Sequence, residues 1–360
     1  MSGTTLHQGL IVHADGRFVA DLEVSGTVVH ALRSPRSAAA AGAGWRDLTG
    51  KLVLPGPVVL GRTDPAGGWE AATVAHGPPA TTVATVLRGG VAMAAAPEPA
   101  PVAVDAVPVP LLAGVEGELD SLPEAVFGSG CAAFAVDDSA FDGSSLEQLE
   151  VLVRVLGHCG ATLVVLSDRR RTMEAGLGGL PAPLDGCRVL LAPAGAAGMR
   201  QAVATARSSG GPGSGVAVAA PAELLLDAGE AAAEWWLEAR AGVVAAVSVG
   251  AADGTQLAAR LWWAGVAAGR VTLEELAALL CRQPAWLFGL PAKGRLYPGC
   301  DADLMVLDPE AESRRRGPEA AAAGRPERPR GAVTLMLRGG ADAAARPGHW
   351  IGATPVREPM

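Results

Sequence analysis

Apolar positions in the first fifty residues come in short runs broken by turn formers. Gly9 to His13, a turn at Ala14-Asp15-Gly16, Phe18 to Val24 and Thr27 to Leu32 follow one another as the strands of a small antiparallel sheet would. After Lys51 the rhythm changes to short apolar runs alternating with amphipathic stretches, the pattern of an α/β chain with a parallel sheet. Strand-like runs fall at Leu52 to Val59, Gly90 to Ala95, Cys131 to Val136, Leu163 to Ser167, Val189 to Ala192, Val216 to Ala219 and Val243 to Val249. Seven runs with helices between them predict a (β/α)8 barrel with one strand unread. The clearest helix is Ser144 to Leu156, with Leu146, Leu149, Val153 and Leu156 on one face. Thr272 and Glu275 have capping-box spacing ahead of Leu276, Leu279 and Leu280, and Pro284 is expected to end that helix. Ser208 to Gly215 reads as a flexible loop and Glu312 to Arg330 as an exposed excursion, after which Ala332 to Leu337 resumes strand character.

Composition narrows this picture. The chain of 360 residues is long enough for one large barrel, and 49% hydrophobic against 18% charged residues belongs to a globular protein. Aromatic residues make up only 4%, so alanine and branched aliphatics must fill the interior. A net charge of −8 argues against a nucleic-acid or anionic-membrane partner, since both need a basic footprint. No run of about 18 apolar residues and no basic leader ahead of an apolar stretch is present, so a cytoplasmic protein is expected. The five cysteines, Cys131, Cys159, Cys187, Cys281 and Cys300, lack C-x-x-C spacing and read as buried free thiols.

One long segment carries a resemblance. Gln283-Pro-Ala-Trp-Leu-Phe-Gly-Leu-Pro-Ala-Lys-Gly-Arg, followed by Asp301-Ala-Asp-Leu-Met-Val-Leu-Asp308, is similar to the amidohydrolase signature N-P-A-x-x-F-G-L-x-x-K-G…D-A-D-L-v-v-x-D. Lys51-Leu-Val-Leu-Pro-Gly56 resembles the K-x-V-x-P-G that leads into the first barrel strand of that family. Leu87-Arg-Gly-Gly-Val91 with Pro97-Glu98, and Pro221-Ala-Glu-Leu-Leu-Leu-Asp227, resemble segments of dihydroorotases, hydantoinases and allantoinases. The resemblance implies a distorted (β/α)8 barrel of the amidohydrolase type over residues 53–293. It also implies a small β-sandwich built from both chain ends, residues 1–52 and 294–360.

The same family implies zinc, which lowers the pKa of a bound water and polarises the amide carbonyl. Its ligands are an H-x-H on the first strand, a carbamylated lysine, two further histidines and an aspartate. Gly61 and Thr63 stand at the two places of the H-x-H, Ala135 at the lysine, Leu166 and about Ala192 at the later histidines, and Ser248 at the aspartate. Only His7, His13, His30, His76, His158 and His349 exist, three of them in the amino-terminal sheet and one in the tail. No cofactor is therefore expected, and a surviving site would have to use Asp64, His76 and His158.

Polar residues expected at the carboxyl ends of the strands are Arg62, Asp64, Glu98, Asp137, Asp168 and Ser248. They read either as a relic pocket whose residues pair with one another, or as a small-molecule site in which Arg62 holds a carboxylate and Asp64 or Asp168 moves protons. The Trp235-Trp236 and Trp262-Trp263 pairs read either as ordinary packing or, with one ring of each exposed, as a partner surface. Three functions follow. The leading one is a dihydroorotase-like, non-catalytic structural or regulatory subunit, of the kind that accompanies aspartate carbamoyltransferase, with a protein partner or a second copy of itself. The others are a metal-independent enzyme on a small polar metabolite and a cyclic-amide hydrolase with an atypical metal site.

Overall fold

A computed structural model of the chain describes residues 3–36, 44–61, 82–88, 105–112, 122–128, 131–137, 146–167, 186–193, 195–209, 215–227, 229–249, 257–312, 330–338 and 340–342. The amino-terminal runs form β1 (Thr4–His13), β2 (Gly16–Ser25) and β3 (Val28–Arg33), paired antiparallel in sequence order. The short β4 (Trp45–Asp47) and β5 (Leu52–Pro55) both join β1 in parallel. From the other end of the chain, β14 (Leu304–Glu312) pairs antiparallel with β5, followed by β15 (Arg330–Arg338) and β16 (Ala341–Asp342). Both chain ends thus share one sheet, with Leu6, Ile11, Leu22, Val53, Leu304 and Val306 in a core of its own.

The second sheet closes on itself in sequence order: β6 (Val58–Gly61), β7 (Thr82–Arg88), β8 (Asp105–Leu111), β9 (Ala133–Asp137), β10 (Thr162–Ser167), β11 (Arg188–Pro193), β12 (Val216–Pro221) and β13 (Val244–Val249). Every pairing in it is parallel, including β13 back onto β6. Alternate residues of each strand go to different cores, as the two-residue period of a strand requires. On β10, Leu163 and Val165 pack with helical Leu152 and Leu156, whereas Val164 joins Ala135, Leu190 and Ala219 inside the barrel.

The expected and observed strands differ in three places. The run Leu52 to Val59 is two strands in two sheets: β5 crosses the chain-end sheet, and β6 opens the barrel after Gly56-Pro57. The second barrel strand is β7, and Gly90 to Ala95 lies outside the described residues. Strand β8 is absent from the expected runs, and its Pro108 and Pro110 are residues that an interior strand disfavours. The structure accommodates them: β8 pairs with β7 along its whole length but meets β9 in register only at Leu111↔Ala135, so few ladder bonds are asked of the proline side.

The helices around the barrel include α1 (Leu122–Gly128), α2 (Leu146–Cys159), α3 (Ala196–Ser208), α4 (Ala222–Leu226) and α5 (Glu230–Arg240). After β13 come α6 (Leu257–Trp262), α7 (Leu273–Ala277) and α8 (Gln283–Leu287). Thr272 and Glu275 form the expected capping box. Pro284 does not stop the helix. A π turn at Ala278–Arg282 carries it across the bond that proline cannot make, so α8 continues from α7 with Pro284 in its first turn.

The end of α8 and the residues that follow it close the amino-terminal end of the barrel. Thr162 Oγ1 donates to the Leu287 carbonyl at 2.6 Å, and the Arg188 guanidinium stacks 4.5 Å from the Trp286 ring. Lys293 then joins barrel to sandwich: it bonds Asp303 and lies 3.3 Å from Asp105 Oδ2 and 3.2 Å from Asp301 Oδ2. Arg338 of β15 stands 3.8 Å from the other oxygen of Asp105, the first residue of β8.

Candidate functional site at the barrel mouth

In a parallel barrel, ligands bind at the carboxyl ends of the strands, where the loops that follow them converge. The residues described at that end are mostly apolar. Strand alternation turns Leu60 of β6, Val86 of β7, Val109 of β8 and Ala192 of β11 into the buried interior, and Leu166 of β10 packs against it. Leu166 is in register with Ala192 on one side and with Asp137 on the other, and Ser248 of β13 is in register with Leu60 and Pro221.

Of the polar residues expected here, the structure places two. Asp137 is exposed at the end of β9. Ser248 is wholly buried, and its hydroxyl meets no hydrogen-bond partner among the described residues. Arg62, Asp64, Glu98 and Asp168 lie outside the described residues, as do Thr63, His76 and His349. His158 is on the exposed last turn of α2, on the flank of the barrel, while His7, His13 and His30 are all in the chain-end sheet.

A divalent metal needs nitrogen, oxygen or thiolate donors at about 2.0–2.3 Å. The described places of the family's ligands hold Gly61, Ala135, Leu166, Ala192 and Ser248, which together offer one neutral hydroxyl. Ala135 is fully buried inside the barrel, where a carbamylated lysine would need a long side chain and room for it. These residues do not fit zinc, and among the described residues no group of three His, Cys, Asp or Glu could hold a metal ion.

The thiols and tryptophans add no chemistry. Cys131, Cys159, Cys187 and Cys281 are buried and unbridged, and burial pushes the Cys187 thiol up to about 12 and Cys281 up as well. Trp235 and Trp236 are both buried, which agrees with ordinary packing of the pair and not with a partner surface that exposes one ring. Trp236 donates to the Leu225 carbonyl at the end of α4, while Trp235 lines a cleft of about 350 Å³ between α3 and α5. Trp262 is buried and its neighbour Trp263 is half-buried.

Residues 243–341 match the family model described as amidohydrolase family. The solved structure of dihydropyrimidinase from Brevibacillus agri superposes with a TM-score of 0.74 at 17% identity, covering 99% of this chain and 100% of that one. The chain has the amidohydrolase-type fold. Its similarity to L-hydantoinase from Arthrobacter aurescens has a TM-score of 0.64 at 18% identity, over 98% of this chain and 100% of that one. By sequence, it is 47% identical to the L-hydantoinase of Paenarthrobacter aurescens over 51 residues, which are 14% of this chain and 11% of that enzyme. It is 48% identical to a D-phenylhydantoinase of Escherichia coli over 50 residues, again 11% of the enzyme's length. Together these matches support the amidohydrolase superfamily. The stretch matching the family model runs from β13 through the barrel floor to β16, and among its described residues only the end of β13 reaches the mouth.

Proposed function

We propose that this chain is a non-catalytic structural or regulatory subunit built on the amidohydrolase-type barrel. The observation that carries the reading is the mouth itself: the described residues at the ligand places that the resemblance implies are glycine, alanine, leucine and one buried serine. Residues that join the barrel floor to the sandwich, Lys293, Asp301 and Asp303 among them, are present and engaged. A chain retained as a scaffold needs these joining residues and not metal ligands. An aspartate carbamoyltransferase-type assembly is the partner complex that the resemblance to dihydroorotases implies.

The test is made on purified full-length chain expressed with added zinc. Elemental analysis is expected to find well under one metal per chain, and hydantoin, dihydrouracil and dihydroorotate are expected to stay closed-ring. Affinity capture from the native host is expected to recover a partner in fixed ratio, with carbamoyltransferase activity if the assembly is of that kind. One tightly held metal per chain together with ring opening overturns the reading.

Ser248 favours a second reading, a metal-independent enzyme or binder acting on a small polar metabolite. A buried hydroxyl left without a partner costs about 1–3 kcal/mol, which a bound polar group would relieve. On that reading Ser248→Ala weakens binding of the metabolite. On the scaffold reading it leaves partner capture unchanged and raises stability slightly.

A further inference from the structure

His13 ends β1 and is in register with Gly16 across the hairpin turn into β2. Its ring is only 5% exposed and sits between two aromatic rings, Tyr297 edge-on at 4.4 Å and Phe18 at 5.7 Å. Neither ring nitrogen has a hydrogen-bond partner among the described residues. A neutral imidazole carries one donor and one acceptor, and leaving both unmet at a buried position is unfavourable. Adding a proton there would place a charge between two aromatic rings with no hydrogen bond to receive it among the described residues.

The hairpin tip that holds His13 is also where the sandwich grips the barrel. Asp15, in the turn, bonds Arg282 of the π turn beyond α7, and Arg17 of β2 lies 3.5 Å from Glu274 of α7. Tyr297 and Arg295 come from the connector that leads from the barrel floor back to the sandwich. The hairpin and the connector therefore meet at the imidazole, and the α7 region holds the same tip one contact further out.

We propose that His13 is a pH-sensitive latch: protonation of its ring, between Phe18 and Tyr297, releases the β1–β2 hairpin tip from the α7 region of the barrel. The charged and titratable groups facing it are Asp15 in its own turn and Arg295 and Tyr297 in the connector, with Arg17, Arg282 and Glu274 one contact further out. Burial is the largest influence on the ring and disfavours its charged form, Asp15 works the other way, and Arg295 adds to the effect of burial. The folded ring thus takes its proton below the ordinary 6.5, and the unfolded or opened segment takes it first. Closure is complete above pH 6.5 and is lost as the pH falls below it.

Hydrogen exchange by mass spectrometry on the full chain reads this directly. After correction for intrinsic exchange, protection of amides 10–19 is expected to fall by up to about tenfold between pH 7.5 and 5.5, the ceiling for one proton at one pH unit below its ordinary value. Peptides from β10 and β11 are expected to keep theirs. His13→Phe, which fills the same space and cannot titrate, is expected to abolish the fall, and His13→Gln serves should the phenylalanine variant not fold. Constant protection in the wild type, or the same fall in a non-titrating variant, overturns the latch.

Discussion

Replacing Lys293 by methionine removes one charge from the joint between barrel and sandwich while keeping the length of the side chain. The ammonium is 6% exposed and faces Asp105, which is 3% exposed, and Asp303, which is 8% exposed. Asp301, at 36% exposure, can turn to water, and Arg338 remains 3.8 Å from Asp105. The variant therefore leaves two buried carboxylates short of their main counter-charge. Breaking a buried ion pair by removing one partner costs about 3–5 kcal/mol. At about 2 °C per kcal/mol for a large domain, the Tm falls by roughly 6–10 °C. Calorimetric melts of wild type, Lys293→Met, Asp303→Asn and the double variant measure it. The double variant should lose less than the sum of the single ones, because Asp303→Asn removes a charge that Lys293→Met strands. A loss under about 2 °C in Lys293→Met, or strict additivity, refutes the account. Alkali offers a second check. Burial disfavours the ammonium, but Asp303, Asp105 and Asp301 together outweigh it and hold its pKa above the ordinary 10.5. The stability that Lys293 contributes is complete below that value and lost as the pH climbs through the folded one, a loss that Lys293→Met should not show.

Other expectations follow from the same packing. Asp21 accepts from His7 Nδ1 at 2.7 Å and from the backbone N–H groups of Gln8 and Arg36 at 3.0 Å each. Burial pushes its carboxyl up, but these donors prevail and hold it below its ordinary 3.8, so the stability it contributes is present above that value and lost as the pH falls through the folded one. Asp21→Asn should cost about 2–3 kcal/mol at pH 7 by urea titration and show a shallower decline in acid; an unchanged acid limb counts against the network. A Cβ on Gly265 would lie 2.7 Å from Trp236 Cη2 and 2.9 Å from Val271 Cγ2, so Gly265→Ala should lose about 1–3 kcal/mol in the same titration. Thr272→Ala opens the capping box and should cost about 1 kcal/mol, with little effect if α7 is held by packing alone.

Much of this protein could be read from residue order because the signals involved are local. The period of two in β1 to β3, the spacing of Leu149, Val153 and Leu156 on α2 and the Thr272–Glu275 box depend on neighbours within one or two turns. That Ala135 and Leu166 supply no metal donor is a matter of residue type alone and holds wherever they stand. Tertiary structure decided what depended on distant partners. Whether Pro108 and Pro110 can sit in a strand depends on which edge of β8 must donate, and that is settled by β7 and β9. Both tryptophans of Trp235-Trp236 are buried because α5 is covered by neighbours that composition does not reveal. Lys293 meets Asp105 across 188 positions of sequence, and His13 meets Tyr297 across nearly the whole chain. Burial without a partner is a property of the surroundings, so the unsatisfied groups at Ser248 and His13 became visible only once the chain had closed around them.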